Sequence, residues 1–490
     1  MRSILLLPLM TGALTVTLAG CTVGPDYAGP PRAASDGATA AAFVRADAGA
    51  VTAAPPVADW WKPLGDPLLD DLIARALAGN TDVKAGEARL RQARAALGEE
   101  RANLAPKVSA SAMYAHAHVP GVAFGSSDGS DSSGGDSSGG SSGGSSGTDL
   151  NLYNLGFNAS WEVDLFGGQR RAVEAARAGI EGAEASLADV QVSIAANVAK
   201  SYLDLRDRQQ RIALGQQSIA WQEEALTLTR QRLERGTATA MEVAQAEGQL
   251  ASARAQIAPL AAERDAYMNA LAVLTAQEPG ALDAALAAAG EIPLPPATVP
   301  VGDPARLIAN RPDIRAAERE LAADTAKIGQ AEAARFPRLS FMGLIGIGGT
   351  KISDLGKLDD FTALAAPQLS WSFLDFGRSK AKVHQSEAVR DEAEARYRGT
   401  VLTALRDAED SLARYREGRI TVAALARARD KAAMAESLTD QRFQSGTATR
   451  VAVLNARRDR SSAEQNLVTA RAALTSDYVA IQKALGLAWR

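Results

Sequence analysis

The sequence predicts a mainly α chain with a smaller β part, built as a tandem duplication of one unit: helix, β-hairpin, long helix, turn, helix. Trp161-Glu-Val-Asp-Leu-Phe-Gly167 opens a proline-free run from Gln169 to Arg235, rich in Ala, Arg, Glu and Gln. As one helix its ~67 residues would span roughly 100 Å, against the about 8–20 residues of an ordinary globular helix. Trp371-Ser-Phe-Leu-Asp-Phe-Gly377 opens a second such run, from Arg378 to Ser445. Trp161 matches Trp371, Phe166 matches Phe376 and Gly167 matches Gly377 at one offset. At that same offset Arg235-Gly-Thr-Ala-Thr239 matches Ser445-Gly-Thr-Ala-Thr449. A fixed self-offset is the signature of an internal repeat.

The net charge is -4 and the basic residues are spread out, which argues against nucleic acid as a partner. Abundant alanine with 5% aromatics suits close-packed helices. The single cysteine excludes an internal disulfide and a clustered-thiolate metal site. Residues 1–20 read as a secretory signal: basic Arg2, apolar Ile4 to Leu9, then small residues before Cys21. Leu18-Ala-Gly-Cys21 resembles a bacterial lipobox, which implies cleavage before Cys21 and lipidation of its thiol and new amino group. The alternative is an ordinary signal with a chance cysteine. Thr22, rather than Asp, implies outer-membrane sorting by resemblance to sorted lipoproteins. No other run of ~20 apolar residues exists, so no transmembrane helix is expected.

Residues 21–60, rich in Ala, Pro and Gly, read as an extended lipid-anchored tether ending at Trp60-Trp61. The first repeat covers 61–277. A helix starts near Pro67, with Leu69, Leu72, Ile73, Ala76 and Leu77 on its apolar face. A second runs to about Asn103, and Pro106 stops it. Strands are expected at about 107–119 and 151–162. The Ser/Gly tract 125–147 between them cannot bury apolar surface and should be a mobile loop. After the first long helix and the Gly236 turn, Met241 to about Leu274 is helical, with a kink expected at Pro259. Residues 278–306 form a Pro- and Ala-rich linker. The second repeat covers 307–490, with strands at about 338–349 and 361–373. Asn310 is set against Asn80, Asp313 against Asp82, Glu318 against Glu87 and Pro337 against Pro106, at an offset about 21 residues larger than that of the later pairs. The Ser/Gly tract is about that long, so it is an insertion in the first hairpin loop.

Four strands per chain cannot bury their own edges. Lipid tolerates only helices and closed barrels, because unpaired backbone groups are too costly there. Three copies would close a twelve-stranded barrel, within the outer-membrane range. Trp161, Phe166, Trp371 and Phe376 would form its aromatic girdle at the junction with the helices. The helices should form a coaxial tube, packed through Leu187, Val190, Ile194 and Val198 in the first long run and Val401, Leu402, Leu405 and Leu412 in the second.

At this point the chain resembles the outer-membrane factor (TolC-like) family, in its lipidated NodT/OprM-type branch. Cys21-Thr-Val-Gly-Pro-Asp-Tyr27, Arg311-Pro-Asp-Ile-Arg-Ala-Ala-Glu318 and Gly329-Gln-Ala-Glu-Ala-Ala-Arg-Phe-Pro337 carry the likeness. So do Leu369-Ser-Trp-Ser-Phe-Leu-Asp-Phe-Gly-Arg378, the two Arg-x-x-x-Gly-Thr-Ala-Thr turns and the terminal Ala484-Leu-Gly-Leu-Ala-Trp489. The resemblance implies a homotrimeric duct: a β-barrel in the outer membrane continuous with a periplasmic α-helical barrel. It implies a periplasmic adaptor and an inner-membrane pump of the resistance–nodulation–division type as partners, with drugs or other small molecules as cargo. The adaptor would dock at Arg232, Gly236, Thr239, Glu242 and Val243 in the first repeat, and at Arg442, Gly446, Thr449, Val453 and Leu454 in the second. The acidic pore ring of relatives falls on Ala452 and Asn455, which leaves the gate's charge open.

No cofactor is expected beyond lipid on Cys21, and no enzymatic motif is present. His116 and His118 share a strand face but have no patterned carboxylate or cysteine. Two alternatives stand. One is a duct for protein or peptide secretion. The other is a periplasmic adaptor lipoprotein, which should carry one helical hairpin where this chain has two.

Overall fold

A computed structural model describes residues 22–31, 42–47, 49–55, 57–119, 148–356 and 361–486. The signal segment, Cys21, the 125–147 tract and Trp489 lie outside the described residues. In chain order the elements are β1 (Val51–Thr52), α1 (Pro67–Gly79), α2 (Thr81–Ala102), β2 (Lys107–Val119), β3 (Thr148–Val163), α3 (Gly168–Glu234), α4 (Ala240–Leu274), α5 (Asp283–Leu286), β4 (Val299–Pro300), α6 (Pro304–Asn310), α7 (Pro312–Ala333), β5 (Arg338–Gly349), β6 (Phe361–Ser370), α8 (Arg378–Gln444) and α9 (Arg450–Ala484). The duplication is exact in length for its long helices. Both α3 and α8 have 67 residues, and both α4 and α9 have 35.

The chain folds as two compact units, and each draws on both repeats. The repeat boundary is therefore not a domain boundary. The reason is pairing across the duplication: β3 of the first repeat pairs antiparallel with β5 of the second, from Tyr153↔Gly349 to Val163↔Leu339. The first unit (Met1–Tyr27, Ala95–Arg177, Ala323–Val389) holds this antiparallel sheet, ordered β2-β3-β5-β6.

The second unit (Ala28–Arg94, Ala178–Ala322, Arg390–Arg490) is mainly helical, with the short β1–β4 pair. Its core takes Ile194 and Val198 from α3 and Val401 and Leu412 from α8, while Leu187, Val190 and Leu405 pack at its edge. Leu402 departs from the expected seam and is exposed. The helix α4 runs through Pro259 as one element.

Four further expectations change. Residues 42–60 are not a free tether. Phe43, Ala50 and Trp60 are buried, β1 pairs in parallel with β4, and the Val44 and Arg45 amides each donate to the Glu409 carboxylate at 2.8 Å. The linker 278–306 accordingly contains β4 and the start of α6, so the second repeat's helices begin at Pro304. The fourth strand stops at Ser370, because its partner Arg338 opens β5 and no strand among the described residues pairs with Trp371 or Phe373. Finally, Arg311, not Asn310, stands in the place of Asn80. The Asn80 amide donates to Leu274 O at 2.9 Å, and the Arg311 guanidinium donates to Ala484 O at 2.8 Å. Each residue joins two short helices of its repeat to the last carbonyl of that repeat's final helix.

Candidate functional site

The sheet has two chemically different faces. Period-two alternation puts Val108, Ala110, Ala112 and Tyr114 of β2 on one face with Leu155, Phe157, Ala159 and Trp161 of β3. Phe341, Ile345 and Ile347 of β5 and Phe361, Ala363, Ala365 and Leu369 of β6 continue it. Phe157, Ile345 and Phe361 of this face are more than half exposed, and so are Met113, Met342 and Leu364 of the other face. That other face carries Ser109, Ser111, Asn154, Asn158, Ser160, Ser340, Thr362 and Gln368. The Asn158 amide donates to Ser111 Oγ at 2.7 Å across it. The outer edges of β2 and β6 have no partner strand among the described residues. Four strands with an exposed apolar face and two open edges are not stable alone in water. Among the described residues no helix is long and apolar enough to cross a membrane.

At the base of the sheet the tryptophans have a second task, which composition alone did not show. The Trp161 indole N–H donates to Leu104 O at 3.0 Å, and that of Trp371 to Arg335 O at 3.1 Å. Each satisfies a carbonyl in the turn that ends the helix preceding its hairpin. Phe166 is half-buried and stacks on Phe336 at 4.6 Å, whereas Phe376 is 93% exposed. The two phenylalanines therefore differ in setting although they match in sequence. Asp375 accepts from the Gly377 and Ser379 amides at the start of α8, and these bonds, foremost those from Ser379, lower its pKa to about 2.

The two long hairpins turn alike. Gly236 has φ +70° and Gly446 φ +74°, the left-handed region that glycine tolerates. In the first, the Gly236 amide donates to Leu233 O at 2.9 Å and the Thr237 amide to Arg232 O at 2.8 Å, the double bond of a Schellman end. The second repeats it with Gly446 to Phe443 O at 2.9 Å and Thr447 to Arg442 O at 2.8 Å. Arg232 and Arg442 each also donate a side-chain bond to the carbonyl of Thr237 or Thr447. Thr239 caps α4 in a reciprocal box with Glu242, whose carboxyl is held below its ordinary pKa by the Thr239 backbone and hydroxyl. Thr449 caps α9 alone, because Ala452 stands where Glu242 does.

Thr239, Thr449, Arg442 and Asn455 are exposed, and Arg232, Glu242, Val243 and Ala452 are half-buried. Val453 and Leu454 are 0% and 2% exposed. They hold α9 in its bundle and are not accessible to a partner in this conformation. Sequence reasoning also missed the exposed apolar side chains that flank the turns, Leu233, Met241 and Phe443. It missed a bidentate ion pair as well: Arg450 Nε and Nη2 lie 2.7 and 3.3 Å from the two Glu224 oxygens, tying the start of α9 to α3. The Arg450 hydrogen bond holds the Glu224 carboxyl below its ordinary pKa. Among the described residues no group of three His, Cys, Asp or Glu could hold a metal; His116 Nδ1 lies 2.9 Å from Asn151 Oδ1.

A family profile described as outer membrane efflux protein matches residues 72–277 and 304–487. Nodulation protein T of Rhizobium leguminosarum bv. trifolii is 30% identical over 482 residues, covering 97% of this chain and 96% of that one. The pyoverdine export outer membrane protein OpmQ of Pseudomonas aeruginosa is 30% identical over 434 residues, covering 89% and 88%. The solved outer-membrane channel OprN superposes with a TM-score of 0.83 at 32% identity, over 95% of this chain and 99% of that one.

Proposed function

The chain belongs to the outer membrane efflux protein family, and from that premise we propose that it is the exit duct of a tripartite resistance–nodulation–division-type system. It is an outer-membrane efflux channel that extends into the periplasm, and it is not an enzyme. Three copies join β2 to β6 edges into one barrel, with the apolar face toward lipid and the Ser/Asn face toward water. The observation that carries this reading is the four-stranded sheet itself, with an exposed face of Phe157, Ile345 and Phe361 and two outer edges that no described strand pairs. Lipid forbids such edges, so closure needs further copies.

Conduction is passive. Energy comes from an inner-membrane pump, relayed by a periplasmic adaptor that docks on the exposed turn residues around Gly236 and Gly446. Leu233, Met241 and Phe443 give that dock an apolar component. Val453 and Leu454 act from behind it by packing α9. The Cys21 lipid anchors the chain in the outer membrane. Cargo is drugs or other small molecules. Deleting the gene is expected to raise sensitivity to several unrelated drugs and leave secreted protein unchanged. Loss of a secreted protein with unchanged drug sensitivity would favour the secretion duct instead.

A further inference from the structure

The residues just after Cys21 are exposed to solvent on one side but held along their backbone on the other. The Val23 amide donates to Phe166 O at 3.1 Å. Arg171, in the first turn of α3, has a side chain only 4% exposed. Its Nε donates to Val23 O at 3.2 Å, its Nη2 to Gly24 O at 3.2 Å and Asp26 Oδ1 at 2.7 Å, and its Nη1 to Glu174 Oε2 at 2.7 Å. Three glycines let the backbones close. A Cβ on Gly24, at φ +87°, would stand 2.4 Å from Gly329 Cα. One on Gly329 would stand 2.9 Å from Val23 O, and one on Gly167 2.6 Å from Thr22 Cγ2.

A guanidinium this buried is costly unless paired and bonded. Burial pulls its pKa down, but Glu174 and Asp26 outweigh that pull and raise it, so the charge persists. The Asp26 side chain is 88% exposed, so that ion pair alone contributes little. The two carbonyl bonds and the Gly24–Gly329 backbone contact do most of the holding.

We propose that Arg171, with Gly24, Gly167 and Gly329, is a clamp that positions the N-terminal lipid anchor. It fixes residues 22–26 on the end of α7 and the start of α3, at the base of the sheet. Cys21 is one residue away, about 3.5 Å of chain. Its acyl groups must then enter the leaflet at a set place beside the sheet, where a free tether would let them roam. Arg171 is thus a positioning residue whose ligand is the chain's own anchor and, through it, a lipid surface. The inference rests on the lipidated reading of Cys21.

The test uses full-length protein extracted from outer membranes, spin-labelled through Pro25→Cys and Ala334→Cys, both exposed positions. Pulsed EPR is expected to give a narrow shortest distance, the one within a chain, beside the longer distances between copies. Arg171→Met and Gly24→Val should each lose the narrow peak to a broad distribution while heat-stable oligomer on gels persists. A merely structural role would lower oligomer stability and leave the peak. A narrow peak retained in Arg171→Met overturns the assignment. Where that variant fails to assemble, Gly24→Val decides, because it lifts the segment without removing the buried cation. Intact mass of the same samples reports the acyl groups separately. An unacylated chain with a narrow peak overturns the anchor reading and leaves the clamp.

Discussion

Ile345→Arg is expected to abolish assembly in the outer membrane, whereas Leu344→Arg, one residue earlier, is expected to be tolerated. The two side chains leave β5 at nearly the same depth on opposite faces. Ile345 is 53% exposed on the face shared with Phe157 and Ala363. Leu344 sits across from Asn158 and Leu364 on the face that also carries Ser111 and Ser340. An arginine held in lipid near the bilayer middle costs about 2–4 kcal/mol per chain, and three chains would bear it together. An arginine on a water-lined wall costs far less. The measurement is the amount of heat-stable oligomer in purified outer membranes. Equal assembly of the two variants, or worse assembly of Leu344→Arg, would contradict the assignment of the faces.

Gly446→Val is expected to cut export at least tenfold while leaving oligomers in the membrane. No heavy atom lies within 4 Å of a Cβ built at this turn, so a side chain meets no clash there. The penalty is conformational, roughly 1–2 kcal/mol for an ordinary residue in the left-handed region and more for a β-branched one. A 35-residue helix and its buried core absorb that without unfolding. The turn itself does not, because its Gly446-to-Phe443 and Thr447-to-Arg442 bonds depend on that conformation. Gly446→Asn should keep most of the export, since asparagine enters the left-handed region readily. Dye efflux from cells carrying each variant reads the difference. Normal efflux with valine would remove the turn from the export mechanism.

Much of the architecture was legible because its punctuation is rigid. Pro106 and Pro337 end helices before the hairpins, glycine ends the long helices, and two tryptophans return at one offset. The expected strand bounds 107–119 and 338–349 coincide with β2 and β5. The strand expected to 373 overran because alternation continues in Trp371 and Phe373, beyond the last described pair, Arg338 with Ser370. The Arg311–Asn80 equivalence was hidden for a chemical reason: a guanidinium and an amide are unlike in sequence but do the same work on a helix-end carbonyl. Burial of Val453 and Leu454 was missed because a turn motif places residues at the start of a helix without saying which face packs. Phe43, Ala50 and Val51 carry no periodicity, so their seat in the core could not be read from pattern.

The proposed duct requires the sheet to be closed by several copies. The direct measurement is native mass spectrometry of the mature protein extracted in detergent from outer membranes. A trimer in which each chain begins at an acylated Cys21 is the expected result. A stable monomer would contradict it, because four strands with open edges at β2 and β6 cannot close alone.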